Sequence, residues 1–177
     1  ILANVSSKFG ITIPPSFPLQ FSVVPHGAEL LRAESYPRLT MIGQSFGSCA
    51  FCYRALLAGG AVPDIFMDTT GAAFTFPVAK LFALLTARKN IRVVTYTHYP
   101  TISTDMLRVV RQRKAAHNNQ QTSSIRAFVK LVYYLVFAAC YAVVGSFADV
   151  VMVNSSWTCA HIASLWFLAP SPSVVFP

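Results

Sequence analysis

The amino-acid sequence predicts an α/β domain built on a doubly wound, mostly parallel sheet. Three features carry that expectation. Short runs dense in Val, Ile and Phe alternate with segments of helical length. The runs are continuously apolar, as in strands covered on both faces, where one-sided strands would alternate. Each run then breaks into a polar cluster, where a loop from strand to helix begins.

In chain order, "FSVV" over 21–24 is the first predicted strand. "LTMIGQSFGSCAFCYRALL" over 39–57 has helical composition and loses its pattern at Gly59 and Gly60. "DIFMD", 64–68, is the second strand, and "AFTFPVAKLFALLTA", 73–87, the helix after it. Pro77 is tolerated near that helix's first turn, where a missing amide costs nothing. "IRVVTYT", 91–97, is the third strand. There follow "THYPTISTDML", a basic helix near 103–115 and the polar stretch "AHNNQQTSS". A long apolar helix is expected over about 125–147, then a strand "DVVMV" (149–153), a helix "SSWTCAHIASLWF" (155–167) and a last strand "SVVF" (173–176).

The 177 residues suffice for one domain with a real core and are short for two. The chain opens on Ile1 and closes on "SVVFP", so we expect a fragment cut at both ends. Hydrophobic residues make up 54% and charged residues 11%, against about 25% charged in a typical soluble domain. Water is therefore not its sole expected solvent. Lys and Arg number 14 against six acids, a net charge of +8. That balance suits phospholipid headgroups, a phosphate-bearing substrate or nucleic acid. No DNA- or RNA-binding signature accompanies it, so nucleic acid is set aside. Four cysteines in apolar surroundings are no disulfide framework and point to a reducing compartment. Cys49 and Cys52 form a lone C-x-x-C in a helical stretch with no second pair at zinc-ligand spacing, so they are expected to be packing thiols. The sequons at Asn4 and Asn154 would matter only in a secreted chain.

Residues 131–148 run 18 positions without a charge, framed by Arg126, Lys130 and Asp149. As a helix this segment is about 27 Å long, near the roughly 30 Å of a bilayer core. It runs straight into a strand, however, which a span between two compartments does not do when both flanks belong to one sheet. A shallow, in-plane helix fits better, with Tyr133, Tyr134 and Tyr141 at headgroup level and Arg126 and Lys130 meeting lipid phosphate. The alternative is a helix wholly buried in the core.

In a doubly wound sheet the loops after successive strands share one edge, where ligands bind. Asp68, Thr69, Thr70, His98, Thr101, Ser103, Asn154 and Ser155 are thereby expected to line one cleft. Ser103, Thr104, Asn154 and Ser155 equally suit helix N-caps, and capping does not preclude ligand contact. Asp68 and Asp105 invite a magnesium site, but two scattered acids make a poor one and no metal is assigned. Asp105 more simply complements a helix dipole from the first turn. Arg108, Arg111, Arg113 and Lys114 put charge along the basic helix, either to grip a diphosphate or lipid surface or as a solvated face.

"PDIFMDTTGAAFTFP", "THYPTISTDMLRVV", "FVKLVYY" and "GSFADVVMVNSSWTCAHIASLW" resemble the GDP-mannose-dependent α-1,2-mannosyltransferases of the dolichol-linked oligosaccharide pathway. The resemblance runs from about Phe21 to Pro177 and is weaker over the first 20 residues and over 115–124. It implies the amino-terminal, acceptor-side, Rossmann-like domain of a GT-B enzyme that needs no metal or cofactor. The implied reaction transfers mannose from GDP-mannose with retention, adding the fourth and fifth mannoses to a dolichyl-diphosphate oligosaccharide. The implied place is the cytosolic face of the endoplasmic reticulum membrane, beside the other early mannosyltransferases. By the same resemblance the membrane anchor, the first strand with its Gly-rich loop and the donor-binding domain lie outside this chain, and the fragment alone is expected to be inactive. In related retaining enzymes a histidine at the end of this strand reaches the donor sugar, which makes His98 the expected catalytic residue. Its bland alternative is a ring that braces the loop by donating to a carbonyl. His26, His117 and His161 show no comparable setting. A competing class is a non-catalytic, membrane-associated interaction subunit that keeps the fold.

Overall fold

The computed structural model describes residues 2–14, 16–111 and 124–177, with side chains for 6–14, 16–109 and 128–177. Helices α1 (Leu2–Phe9), α2 (Gly27–Leu31) and α3 (Thr40–Ala58) lead to strand β1 (Ile65–Asp68). Then come α4 (Thr75–Ala87), β2 (Arg92–Thr97), α5 (Thr104–Arg111), α6 (Ser124–Gly145), β3 (Val150–Val153), α7 (Ser156–Leu165) and β4 (Ser173–Val174). The sheet runs β1-β2-β3-β4 with every neighbouring pair parallel. The expected α/β class and the second to fifth predicted strands are therefore present.

Two expectations differ. "FSVV" is not a strand: residues 21–24 lack sheet pairing and are largely exposed, with Val23 at 84%. The next two residues explain this, because Pro25 has no amide to give a ladder and His26 turns the chain in the left-handed region at φ 55°. The second difference concerns the faces. Phe76 of α4, Phe137 of α6 and Ile162 of α7 all join one cluster with Val93, Val151 and Val153. Strand order that follows chain order, with crossovers of one hand, puts every crossover helix on the same side. Among the described residues the sheet is thus covered on one face only. Its other face carries Ile65 (60% exposed), Met67 and Val150, with Val94, Tyr96 and Met152 half-buried.

Helix α6 lies on the core through Phe137, Ala138 and Tyr141, which removes Tyr141 from the headgroup level expected for it, and its exposed outer residues mean that it is not wholly buried as one alternative had it. Its outer stripe of Val129, Val132, Val136, Cys140 and Val143 is exposed at 3- and 4-residue spacing. By length and composition Phe128–Gly145 could cross a bilayer, and 17% of that window is buried. Its carboxyl end is pinned by close packing, since a Cβ on Gly145 would overlap the Trp166 ring. The chain then enters β3 directly, with the Asp149 amide donating to Val93 O at 2.8 Å. The Asp149 carboxylate accepts from the Val93 amide (2.7 Å) and pairs with Lys80 of α4 (2.9 Å). Burial alone would raise its pKa, but the Val93 amide and the Lys80 ammonium outweigh that and hold it below the usual value. One carboxylate so ties a strand, a crossover helix and the entry to the next strand.

Candidate active site

Register sets the site's position. Asp68 lies opposite Thr95, and Thr97 opposite Val153. Parallel pairing therefore brings loops 69–74, 98–103 and 154–155 to one edge, the carboxyl edge of the sheet.

The first loop folds around its own acid. Asp68 is 8% exposed, and its Oδ2 accepts from the amides of Gly71 (2.7 Å) and Ala72 (2.9 Å). Its Oδ1 accepts from Thr70 Oγ1 (2.6 Å) and from the Thr70 amide (3.2 Å). That carboxylate is committed to shaping the loop. Gly71 sits at φ +79°, where a Cβ would come 3.2 Å from Thr97 Cγ2, so glycine lets this loop pass over the end of β2. Thr69 is exposed at its tip.

In the second loop the His98 side chain is exposed. The ring packs edge-on against Tyr96, with centroids 4.8 Å apart, and among the described residues it makes no hydrogen bond. Bracing falls instead to its backbone. The His98 carbonyl faces Thr158 Oγ1 at 3.1 Å, and that hydroxyl also lies 3.0 Å from Asn154 Oδ1, with one proton to give to either. Tyr99 stacks on Trp157 at 5.1 Å. Ser103 is buried and accepts from the Met106 amide (3.2 Å), capping α5, and Ser155 accepts from the Thr158 amide (3.2 Å), capping α7. The capping alternative thus holds for both serines. Together α7's first turn and the buried end of the loop hold the His98 backbone while leaving its imidazole in solvent.

The expected single cleft separates into two stations along that edge. Thr70 and Thr101 line a cavity of about 290 Å³ together with Gln44, Ser45, Gly71 and Phe74. His98, Asn154 and Ser155 do not line it. Helix α3 forms the far wall, because Cys52 packs with Ala79 and Ala83 of α4. Cys49 Sγ donates to Phe74 O at 3.3 Å, and burial, with Cys49 and Asp68 nearby, pushes the Cys52 thiol up to about 12. These are packing thiols, as expected.

Of the basic residues, Arg108 is exposed and donates from Nη2 to Asp105 Oδ1 at 2.5 Å. Lys130 Nζ lies 5.8 Å from the Tyr134 ring centroid. Arg111 and Arg126 fall within α5 and α6, but their side chains lie outside the described residues, as do Arg113, Lys114 and His117 altogether. His26 is an exposed partner of Glu29 at 3.7 Å.

His161 departs from expectation. It is 8% exposed, with Nδ1 2.6 Å from Thr104 Oγ1 and Nε2 3.3 Å from Asp105 Oδ2. Trp157 meets its ring edge-on at 4.1 Å. This cluster joins α7 to the start of α5 and so closes the far end of the loop that carries His98. The sequence held one usable signal, the i, i+4 spacing of Trp157 and His161 on the helix after "NSS". Asp105 and Asp68 serve different partners, which leaves no joint carboxylate pair for a cation.

Crossover helices behind a parallel sheet and polar loops gathered at its carboxyl edge define the class of α/β domains that take their ligand at that edge. Within that class the chain belongs to the family described as "ALG11 mannosyltransferase N-terminus", whose model matches residues 1–166. Proteins of Homo sapiens and Xenopus tropicalis, both named GDP-Man:Man(3)GlcNAc(2)-PP-Dol alpha-1,2-mannosyltransferase, are each 41% identical to it over 180 residues. The match covers 100% of this chain and 34% and 35% of theirs. A Dictyostelium discoideum protein of the same name is 43% identical over 139 residues, 77% of this chain and 26% of its own. The chain spans about a third of the length of the first two relatives. No solved structure matches it.

Proposed function

We propose that this chain is the acceptor-side, amino-terminal part of a mannosyltransferase with two Rossmann-like domains of the GT-B kind, doubly wound once complete. The whole enzyme transfers mannose from GDP-mannose, with retention and in α-1,2 linkage, to a dolichyl-diphosphate oligosaccharide, supplying its fourth and fifth mannoses. Donor binding falls mainly to a second domain. The enzyme works at the cytosolic face of the endoplasmic reticulum beside the other early mannosyltransferases, and no metal or cofactor is assigned. Membership of the family and the names of the relatives support this function. The single structural observation that carries it is His98, an imidazole without a hydrogen bond among the described residues, on a braced backbone at the carboxyl edge.

In this scheme His98 hydrogen-bonds the mannose and holds its anomeric carbon against the acceptor hydroxyl. Orientation is where the rate comes from, because a prearranged loop has already lost the freedom that reaction would otherwise remove. Retention places the new bond on the face the nucleotide leaves, so the departing phosphate takes the acceptor's proton. His98 need not act as a base. The exposed stripe of α6, with Lys130 near its start, lies in the membrane plane.

The test is His98→Ala in the full-length enzyme. Transfer is expected to fall about 100-fold or more, the scale of losing one well-placed donor, with expression and membrane recovery unchanged. Unchanged turnover refutes the assignment of His98. Recovery of a full-length protein that lacks any donor domain would favour the interaction subunit instead.

A further inference from the structure

Two exposed rings meet at the carboxyl edge beside His98. Tyr99, 58% exposed, stacks on Trp157, 41% exposed, with centroids 5.1 Å apart and planes 24° from parallel. Neither ring belongs to the hydrophobic clusters behind the sheet, so core packing does not account for the pair. Among the described residues no second ring meets Tyr99, and its hydroxyl makes no hydrogen bond.

The stack is set before any ligand arrives. The His161 ring meets Trp157 at 4.1 Å with planes 65° apart, and His161 is itself buried against Thr104 (2.6 Å) and Asp105 (3.3 Å). Pro100 restricts the Tyr99 backbone from the residue that follows it. The neighbours are held too, because Thr158 Oγ1 lies 3.1 Å from the His98 carbonyl and the Thr101 amide donates to Tyr141 Oη at 3.4 Å. A ring fixed in this way has little freedom left to lose on binding.

The rim selects the ligand. Residues 69–74, 98–103 and 154–155 contain no Lys, Arg, Asp or Glu. They offer the neutral polar groups of Thr69, Thr70, Thr101, Asn154 and Ser155, while the Asp68 carboxylate is spent on its own loop. A phosphate finds no cation in these loops, and a hydrocarbon tail would strip water from polar groups without replacing it. A pyranose meets both demands. It carries hydroxyls around its edge and C–H bonds on its face, and the negative face of an aromatic ring attracts such C–H bonds.

We propose that the outer face of Tyr99 is a stacking platform for the terminal mannose of the acceptor glycan, with Trp157 as the positioning residue behind it. This rests on the proposed function and adds to it a residue that selects the sugar. Mannose stacked through the face that carries its C3 and C5 hydrogens has its axial 2-hydroxyl pointing away from Tyr99, free to attack.

The test is saturation-transfer NMR on the full-length enzyme with methyl α-mannopyranoside. The C3 and C5 hydrogens are expected to take up the most saturation, and Tyr99→Leu to reduce it about tenfold, the scale of losing one aromatic stack. An undiminished signal in Tyr99→Leu overturns the site. So does displacement of the Tyr99-dependent signal by dolichyl phosphate bearing no sugar, which would make the ring a lipid contact. In transfer assays Tyr99→Leu is expected to raise acceptor KM about tenfold and Tyr99→Phe, which keeps the ring, about twofold, with donor KM little changed. Trp157→Leu is expected to raise acceptor KM about fivefold and Trp157→Phe to restore most of it. Equal rises in acceptor and donor KM would mean general loosening of the edge and overturn the proposal. The NMR signal needs no turnover, so a His98→Ala variant that keeps full turnover would sink the catalytic assignment and leave the platform standing.

Discussion

Asp68 offers a sharp contrast between a residue that binds substrate and one that builds the loop beside it. In Asp68→Asn one oxygen survives to face Thr70, but an NH2 group replaces the oxygen that receives the Gly71 and Ala72 amides at 2.7 and 2.9 Å. Two donors then confront a donor in a place that is 8% exposed. Hydrogen bonds to a charged acceptor contribute about 1.5–3 kcal/mol each, and they are not additive within one cluster, so the loss is about 3 kcal/mol. At 1.4 kcal/mol per decade that is roughly a hundredfold in the opening equilibrium. The assay is hydrogen–deuterium exchange of the peptide spanning 69–74 in the full-length protein, where opening of this loop is read locally. Exchange of the Gly71 and Ala72 amides is expected to speed up about a hundredfold, with the β2 amides little changed. If Asp68→Asn abolishes transfer while those two amides keep their protection, the carboxylate serves the ligand and its structural role is refuted.

The Asp149 carboxylate, lowered in the folded state, contributes stability that is complete above the ordinary carboxyl value of about 3.9 and is lost as pH falls through its folded value. Lys80→Met is expected to cost about 1 kcal/mol at pH 7 and to reduce the loss between pH 7 and pH 3, as read by urea midpoints at the two pH values. Gly145→Ala drives a methyl into the Trp166 ring, which is packed against the core, and is expected to cost about 2 kcal/mol or more, seen as a lowered thermal midpoint. His161→Phe keeps the ring against Trp157 but removes the hydrogen bond to Thr104 and the contact with Asp105. It is expected to reduce kcat several-fold with little change in donor KM, and His161→Gln to restore part of it by reaching Thr104 or Asp105. Equal losses in the two variants would argue against positioning by these polar contacts.

Much of the scaffold was legible before any coordinates. "IRVVTYT" and "DVVMV" read as strands because local composition and tertiary demand agree there. Pro25 was equally legible after "FSVV" and argues against a strand continuing there, whereas the left-handed turn at His26 is a property of the folded backbone alone. The covered face was less legible. Continuous apolar strands suggest cover on both sides, yet Ile65 and Met67 are exposed here, because residue identity does not report which neighbours the described chain supplies.

By itself the sequence determined that this protein is a parallel α/β domain, that it resembles the amino-terminal part of a mannosyltransferase family, and that polar chemistry collects after its strands. Periodicity, turn residues and long motifs are local properties, and local properties survive in one dimension. Only the tertiary structure decided what each polar residue does. Ser103 and Ser155 became caps, Asp68 turned inward to its own loop, the His98 ring took no hydrogen bond among the described residues, and His161 found Thr104 across 57 positions of chain. A hydroxyl or carboxylate takes whichever partner lies within about 3 Å. That distance is fixed by how helices and strands pack, not by neighbours in sequence.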